Sequence, residues 1–167
     1  MQTDEEKNFT LDEAQLEFAK KINGRVWALL EKPDRSNAED WEMLHASHAS
    51  LYHWLQVGTG LQHQRGEWLI AHVQTVLGNG DEAVRHANRC LELTESHSAL
   101  MEDFDLAFAY EAVARSNALA GNIDESKNFI ELAQSAGEAI PNVEDRTIFF
   151  KDFDGGEWYG LRRACLS

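Results

Sequence analysis

Apolar residues recur at helical spacing along most of the chain. The interruptions fall where Gly, Pro, Asn and Ser gather: EKPDRSN (31–37), VGTG (57–60), GNGD (78–81), ESHSALM (95–101), GNID (121–124), GEAIPN (137–142) and DGG (154–156). Runs that alternate Val, Ile or Thr in the manner of a strand are few. The segments between breaks predict six substantial helices, a short seventh near 143–152, and a tail. Two helix starts are explicit, because Thr10 with Glu13 and Ser36 with Glu39 have capping-box spacing, in which each partner satisfies an orphan amide of the first turn. Helices beginning near residues 11 and 37 follow. The expectation is an all-α fold of antiparallel helix hairpins with six to seven helices. No break is long enough to be a linker, so 1–167 reads as one domain. It divides into an N-terminal hairpin over 10–58, two repeat-like hairpins over 61–138, and a short helix with a docking tail over 139–167.

Polar residues interrupt the predicted stripes. On the helix after Ser36, Trp41, Leu44, Leu51, Tyr52 and Leu55 share one face, with His48 in its middle and His45 at its edge. The stretch HASHASLYHW (45–54) holds three histidines, but His53 lies about 140° around the helix from His48. One straight helix cannot bring all three to one ion. His45 and His48 could supply two ligands if His72 or carboxylates came from other helices; no HExxH pattern is present, so a core histidine bonded to a backbone carbonyl or to Tyr52 is the simpler expectation, and no metal site is predicted. The next helix carries Leu61, Arg65, Trp68, Leu69, His72 and Val76 on one stripe, so Arg65 and His72 flank Trp68. DFDLAFAYEAVARSNALA (103–120) is small or apolar nearly all round and should be sandwiched between neighbours. Within it Glu111 and Arg115 stand at i and i+4 on a strip with Phe104, Phe108 and Leu119. Glu111 and Asp105 are the natural partners for Arg65.

An internal repeat appears when Gly78 is set over Gly121. LGNGDEA then matches AGNIDES, with Asn79 over Asn122, Asp81 over Asp124, and small residues Ala83 and Ser126 where two helices must approach closely. In this register Glu111 matches Trp68 and Arg115 matches His72. Residues 64–96 and 107–138 resemble the tetratricopeptide-repeat helix hairpin, although the period is longer than the regular repeat of roughly 34 residues. Ala87 and Ile130 stand where that repeat prefers a large aromatic, and Glu95 where it prefers Pro. The resemblance implies a right-handed helical layer. The chain is also similar to a group of bacterial helical-repeat proteins that share patterns such as RGEW and DFDLAFAYEA, which implies a fold and no catalytic residues.

Charge narrows the classes of partner. With 29 acidic residues against 15 basic and a formal net charge of -14, binding driven by phosphate neutralisation is opposed, and nucleic acid is not expected. Cys90 and Cys165 lack the spacing of a zinc or redox motif and read as reduced thiols of a cytoplasmic protein. The first twenty residues lack the basic start and apolar run of a signal peptide, and no segment approaches 18 consecutive apolar residues. A membrane is therefore not expected either. Ser47, Ser50 and Cys90 have no nucleophile context, and no cofactor motif occurs.

The polar residues on the predicted inner helices give the functional expectation. His48, Arg65, Trp68, His72, Glu111 and Arg115 would line a pocket of an interaction or small-ligand-binding module, with Arg65 and Arg115 gripping a carboxylate of a peptide segment or small anionic ligand. A structural ion-pair network is the plainer reading of the same residues. An enzyme is the alternative, and it requires His48, His72 and Glu111 to converge. The apolar cluster Trp158, Tyr159 and Leu161 should dock on the last hairpin, or insert into a second copy to give a homodimer.

Overall fold

The computed structural model describes residues 9–161. The acidic run at 4–7, Cys165 and the end of the tail lie outside the described residues. Seven helices make up the described chain: α1 (Leu11–Leu30), α2 (Asn37–Val57), α3 (Gly60–Val76), α4 (Gly80–Ser96), α5 (Asp105–Ala120), α6 (Ile123–Glu138) and α7 (Val143–Gly155), with one 3-10 turn at Ser98–Leu100. The fold is all-α, as expected. Both capping boxes are formed, Thr10 with Glu13 and Ser36 with Glu39, and α7 opens on Asn142, whose Oδ1 accepts from the amides of Glu144 and Asp145.

Short connections make successive helices pack as hairpins, α1 with α2, α3 with α4 and α5 with α6. The hairpins stack through α2 on α3 and α4 on α5, while α3 also touches α5 and α7 closes the far end. The turns of the second and third hairpins are near copies. Gly78 and Gly121 sit at φ 80° and 82°, a region costly for a side chain, and let the next residue fold back. Asn79 then donates its amide to the Gln74 carbonyl and Asn122 its amide to the Asn117 carbonyl, both at 2.9 Å. Their side chains repeat the step, Asn79 Nδ2 to Gln74 Oε1 and Asn122 Nδ2 to Asn117 Oδ1. Ala83 and Ser126 are fully buried at the predicted close approaches, and Ser126 Oγ donates to the Ala114 carbonyl at 2.7 Å.

Helix α5 is buried from Glu111 through Ala118 and lies between its neighbours. Its small residues join Ile130, Ile140, Phe149, Phe153 and Trp158 in one apolar cluster, and Val26, Leu29, Met43, Leu69 and Val73 form a second at the other end. The face expected of α2 is corrected. Trp41, Tyr52 and Leu55 are exposed, and the buried positions are Met43, Ser47, Ser50 and Leu51. Small residues win this face because α1 comes close: Ser50 Oγ donates to the Ala19 carbonyl of α1, and Ser47 Oγ to the Leu44 carbonyl of its own helix. The bulky rings are left outside, where Trp41 stacks on His45 and Tyr52 meets His53 edge-on.

The positive φ of Gly121 gives a direct stability test. Gly121→Ala is expected to lower unfolding stability by about 1–2 kcal/mol in urea titrations, whereas Gly24→Ala, in open space inside α1, should raise it by up to about 1 kcal/mol.

Candidate functional site

The first helix of each hairpin presents its polar stripe to one shared groove. Two cavities, of about 300 and 600 Å³, adjoin there and have Trp27, Trp68, Phe108 and Asp152 in common. Helices α1, α3 and α5 form the floor and the end of α7 forms a wall. The Trp68 ring lies parallel to His72 with centroids 5.2 Å apart, Trp27 stacks on Trp68 at 6.0 Å, and Phe108 meets Trp68 edge-on at 5.8 Å. The predicted α3 stripe is thus part of the groove floor, with Arg65, Trp68 and His72 on it, while α3 buries Leu69, Ile70, Ala71 and Val73.

The two arginines behave differently. Arg65 donates through Nε and Nη2 to both oxygens of Asp105 at 3.1 Å, lies over the Phe104 ring, and keeps its side chain partly exposed. Asp105, not Glu111, is its partner. Arg115 is buried, and all three of its nitrogens donate. Its Nε donates to Glu111, Nη1 to the Glu157 carbonyl at 2.8 Å, and Nη2 to the Asp152 carbonyl at 3.2 Å, with Trp158 stacked at 4.2 Å. A Cβ at Gly156 would collide with this guanidinium, so the chain passes there as glycine. The expected pair of anion-gripping arginines is therefore corrected: Arg115 has spent its donors on Glu111 and the backbone, and Arg65 alone faces the smaller cavity. The described part of the tail docks in cis, with Trp158 Nε1 donating to the Phe153 carbonyl and Tyr159 Oη to the Thr75 carbonyl of α3.

The histidines also separate. His48 lines neither cavity; it is on the exposed side of α2 and meets His86 of α4 edge-on at 5.3 Å, while His86 Nδ1 pairs with Glu67 at 2.6 Å. The core placement expected for His48 is corrected, and the set His48, His72 and Glu111 is not assembled. His53 turns away to Gln15 and Phe18. Among the described residues no group of three or more His, Cys, Asp or Glu is placed to hold a metal. Burial holds the His72 imidazole below its ordinary value, against the opposing pull of Glu111, and lowers His48 as well. Burial pushes the Cys90 thiol far up, which leaves it a poor nucleophile. No described helix is long and apolar enough to cross a membrane.

Sequence reasoning placed Arg65, Trp68, His72, Glu111 and Arg115 in the groove and missed Asn23, Trp27, Gln64 and Asp152. A signal for the first three was present. NGRVW (23–27) and QRGEW (64–68) each set a carboxamide four residues before a tryptophan, which places the two on one helix face. Compared with protein-family models, with curated proteins and with solved structures, the chain matches none.

Two measurements follow. Glu111→Ala strands a buried guanidinium that keeps only its carbonyl acceptors, and should cost about 3 kcal/mol in chemical denaturation; Glu92→Ala, which removes an exposed pair with Arg89, should cost under about 1 kcal/mol. For pH, the folded state holds His72 neutral more strongly than the unfolded chain does, with Glu111, Arg115 and Asp152 the charges that face it. The unfolded chain then binds more protons, so stability present above the ordinary value of 6.5 is lost as pH falls through the lower folded value. Denaturation between pH 8 and 5 should show this fall, with a shallower one in His72→Phe.

Proposed function

We propose that the chain is a tetratricopeptide-like binding module of the cytoplasm whose site is the groove between α1, α3, α5 and α7. The observation that carries this reading is the continuity of the two cavities through Trp27, Trp68, Phe108 and Asp152. Their volumes are those of small-molecule sites, and apolar rings with a few polar groups are the usual lining of such sites. Alternate helices supply the floor, in keeping with the repeated Gly-Asn turns at 78–79 and 121–122. The occupant is a small molecule held against the aromatic faces. Arg65 remains available for an anionic or carbonyl oxygen at the rim through Nη1, since only Nε and Nη2 go to Asp105. Cys90, a buried free thiol, suits a reducing compartment.

The test uses the tryptophans as reporters. Mixtures of small anions, cations and neutral compounds should shift the indole N–H resonances of Trp27 and Trp68 saturably, and Phe108→Lys should abolish the response while helical circular dichroism is retained. Responses confined to the exposed Trp41, or no response, would defeat the proposal.

A further inference from the structure

Three buried side-chain polar atoms lack a hydrogen-bond partner among the described residues: Asn23 Oδ1, Gln64 Oε1 and Trp68 Nε1. All three residues line the same cavity, the smaller one of about 300 Å³. A buried polar atom without a partner costs about 1–3 kcal/mol, so three sealed within the walls of one chamber form a concentrated unmet demand, which a ligand meets when these side chains turn toward it. That volume is on the order of ten times the ~30 Å³ share of one water.

The orientation of Gln64 is set by its other contacts. Gln64 is 1% exposed, and its Nε2 donates to Thr94 Oγ1 at 3.1 Å and toward Cys90 Sγ at 3.2 Å. Thr94 has already given its hydroxyl hydrogen to the Cys90 carbonyl at 2.9 Å, so it accepts from Gln64 and cannot donate. The oxygen is therefore the free end. Asn23 and Gln64 each stand one turn before Trp27 and Trp68, so each shares a helix face with one of the stacked rings, and all four line the cavity. Asp105 is satisfied by Arg65 and by the Glu102 amide, which leaves that pair with no net charge.

The unmet demand is thus two neutral acceptors and one neutral donor beside flat aromatic walls. A carboxylate has no hydrogen to give to either acceptor, and an ammonium has no acceptor for the Trp68 N–H. Either ion would also lose its hydration against uncharged groups. A primary carboxamide offers two N–H donors and one carbonyl oxygen in one plane. We propose that this chamber binds the uncharged carboxamide group of a small planar molecule, its N–H groups to Asn23 Oδ1 and Gln64 Oε1 and its oxygen to Trp68 Nε1. The inference rests on the groove reading above and names the chemistry of its ligand.

The probes are benzamide and its charged isosteres benzoate and benzylammonium, titrated into the full chain with indole nitrogens labelled. Benzamide should shift the Trp68 N–H resonance saturably, with a Kd at least tenfold below that of either isostere. Asn23→Leu, at a half-buried helix position, should weaken benzamide about tenfold and leave benzoate unchanged; Gln64→Leu should act the same way if it folds. Equal or tighter binding of an isostere overturns the inference, and so does a Trp68 resonance that stays still with all three, which would leave the chamber to ordered water. If other compounds still move Trp27 and Trp68, the groove survives and only its carboxamide specificity falls.

Discussion

Everything at the C-terminal end of the fold hangs on the buried charge of Arg115. A guanidinium out of water must find acceptors for its donors. Glu111, one turn away on α5, supplies one. The others are main-chain oxygens of Asp152, Phe153 and Glu157, two of them in the last turn of α7. The Asp152 and Phe153 carbonyls also accept from the Gly156 amide and from Trp158 Nε1, and they lie at a helix end where the macrodipole is negative and a cation is favoured. One side chain thus neutralises a carboxylate, caps α7 and fixes the strand of chain that walls the groove. The Trp158 ring covers it.

The helices were legible because their boundaries are chemical. Caps at Thr10 and Ser36 and the Gly-Asn turns after α3 and α5 impose their geometry locally, whatever the rest of the chain does. The sandwiched α5 was legible for a related reason: a helix small or apolar on all sides has no face to offer water. The buried face of α2 was not legible. Counting apolar residues weights Trp41, Tyr52 and Leu55, but a close helix pair selects for small side chains whose hydroxyls can be satisfied by backbone, as Ser47 and Ser50 are. Volume, not hydropathy, decided that face, and volume depends on how near α1 comes.

The groove was half legible. Polar residues inside the α3 and α5 stripes pointed to it, yet the pattern could not say whether a stripe faces a core or a cavity, because both want rings. Arg65 and Arg115 look alike in the sequence and differ in the fold, since Arg65 meets a carboxylate at the start of α5 and Arg115 meets main-chain carbonyls at the C-terminal end of α7. His48 was misplaced together with the α2 face on which it was drawn. Asn23 and Gln64 escaped notice because amides on helices are ordinary; their meaning lies in hydrogen bonds that they do not make.

The wall contributed by residues 151–159 comes late in the chain. During synthesis the helices bearing Trp27, Trp68 and Phe108 emerge before it, so the aromatic strip is bare on the nascent protein. Such a surface invites association between incomplete copies. The surplus of acidic residues, spread from α1 onward, sets a long-range repulsion against that encounter. Repulsion between copies while the chain is being made and a walled aromatic groove once it is finished thus come from different parts of the same sequence.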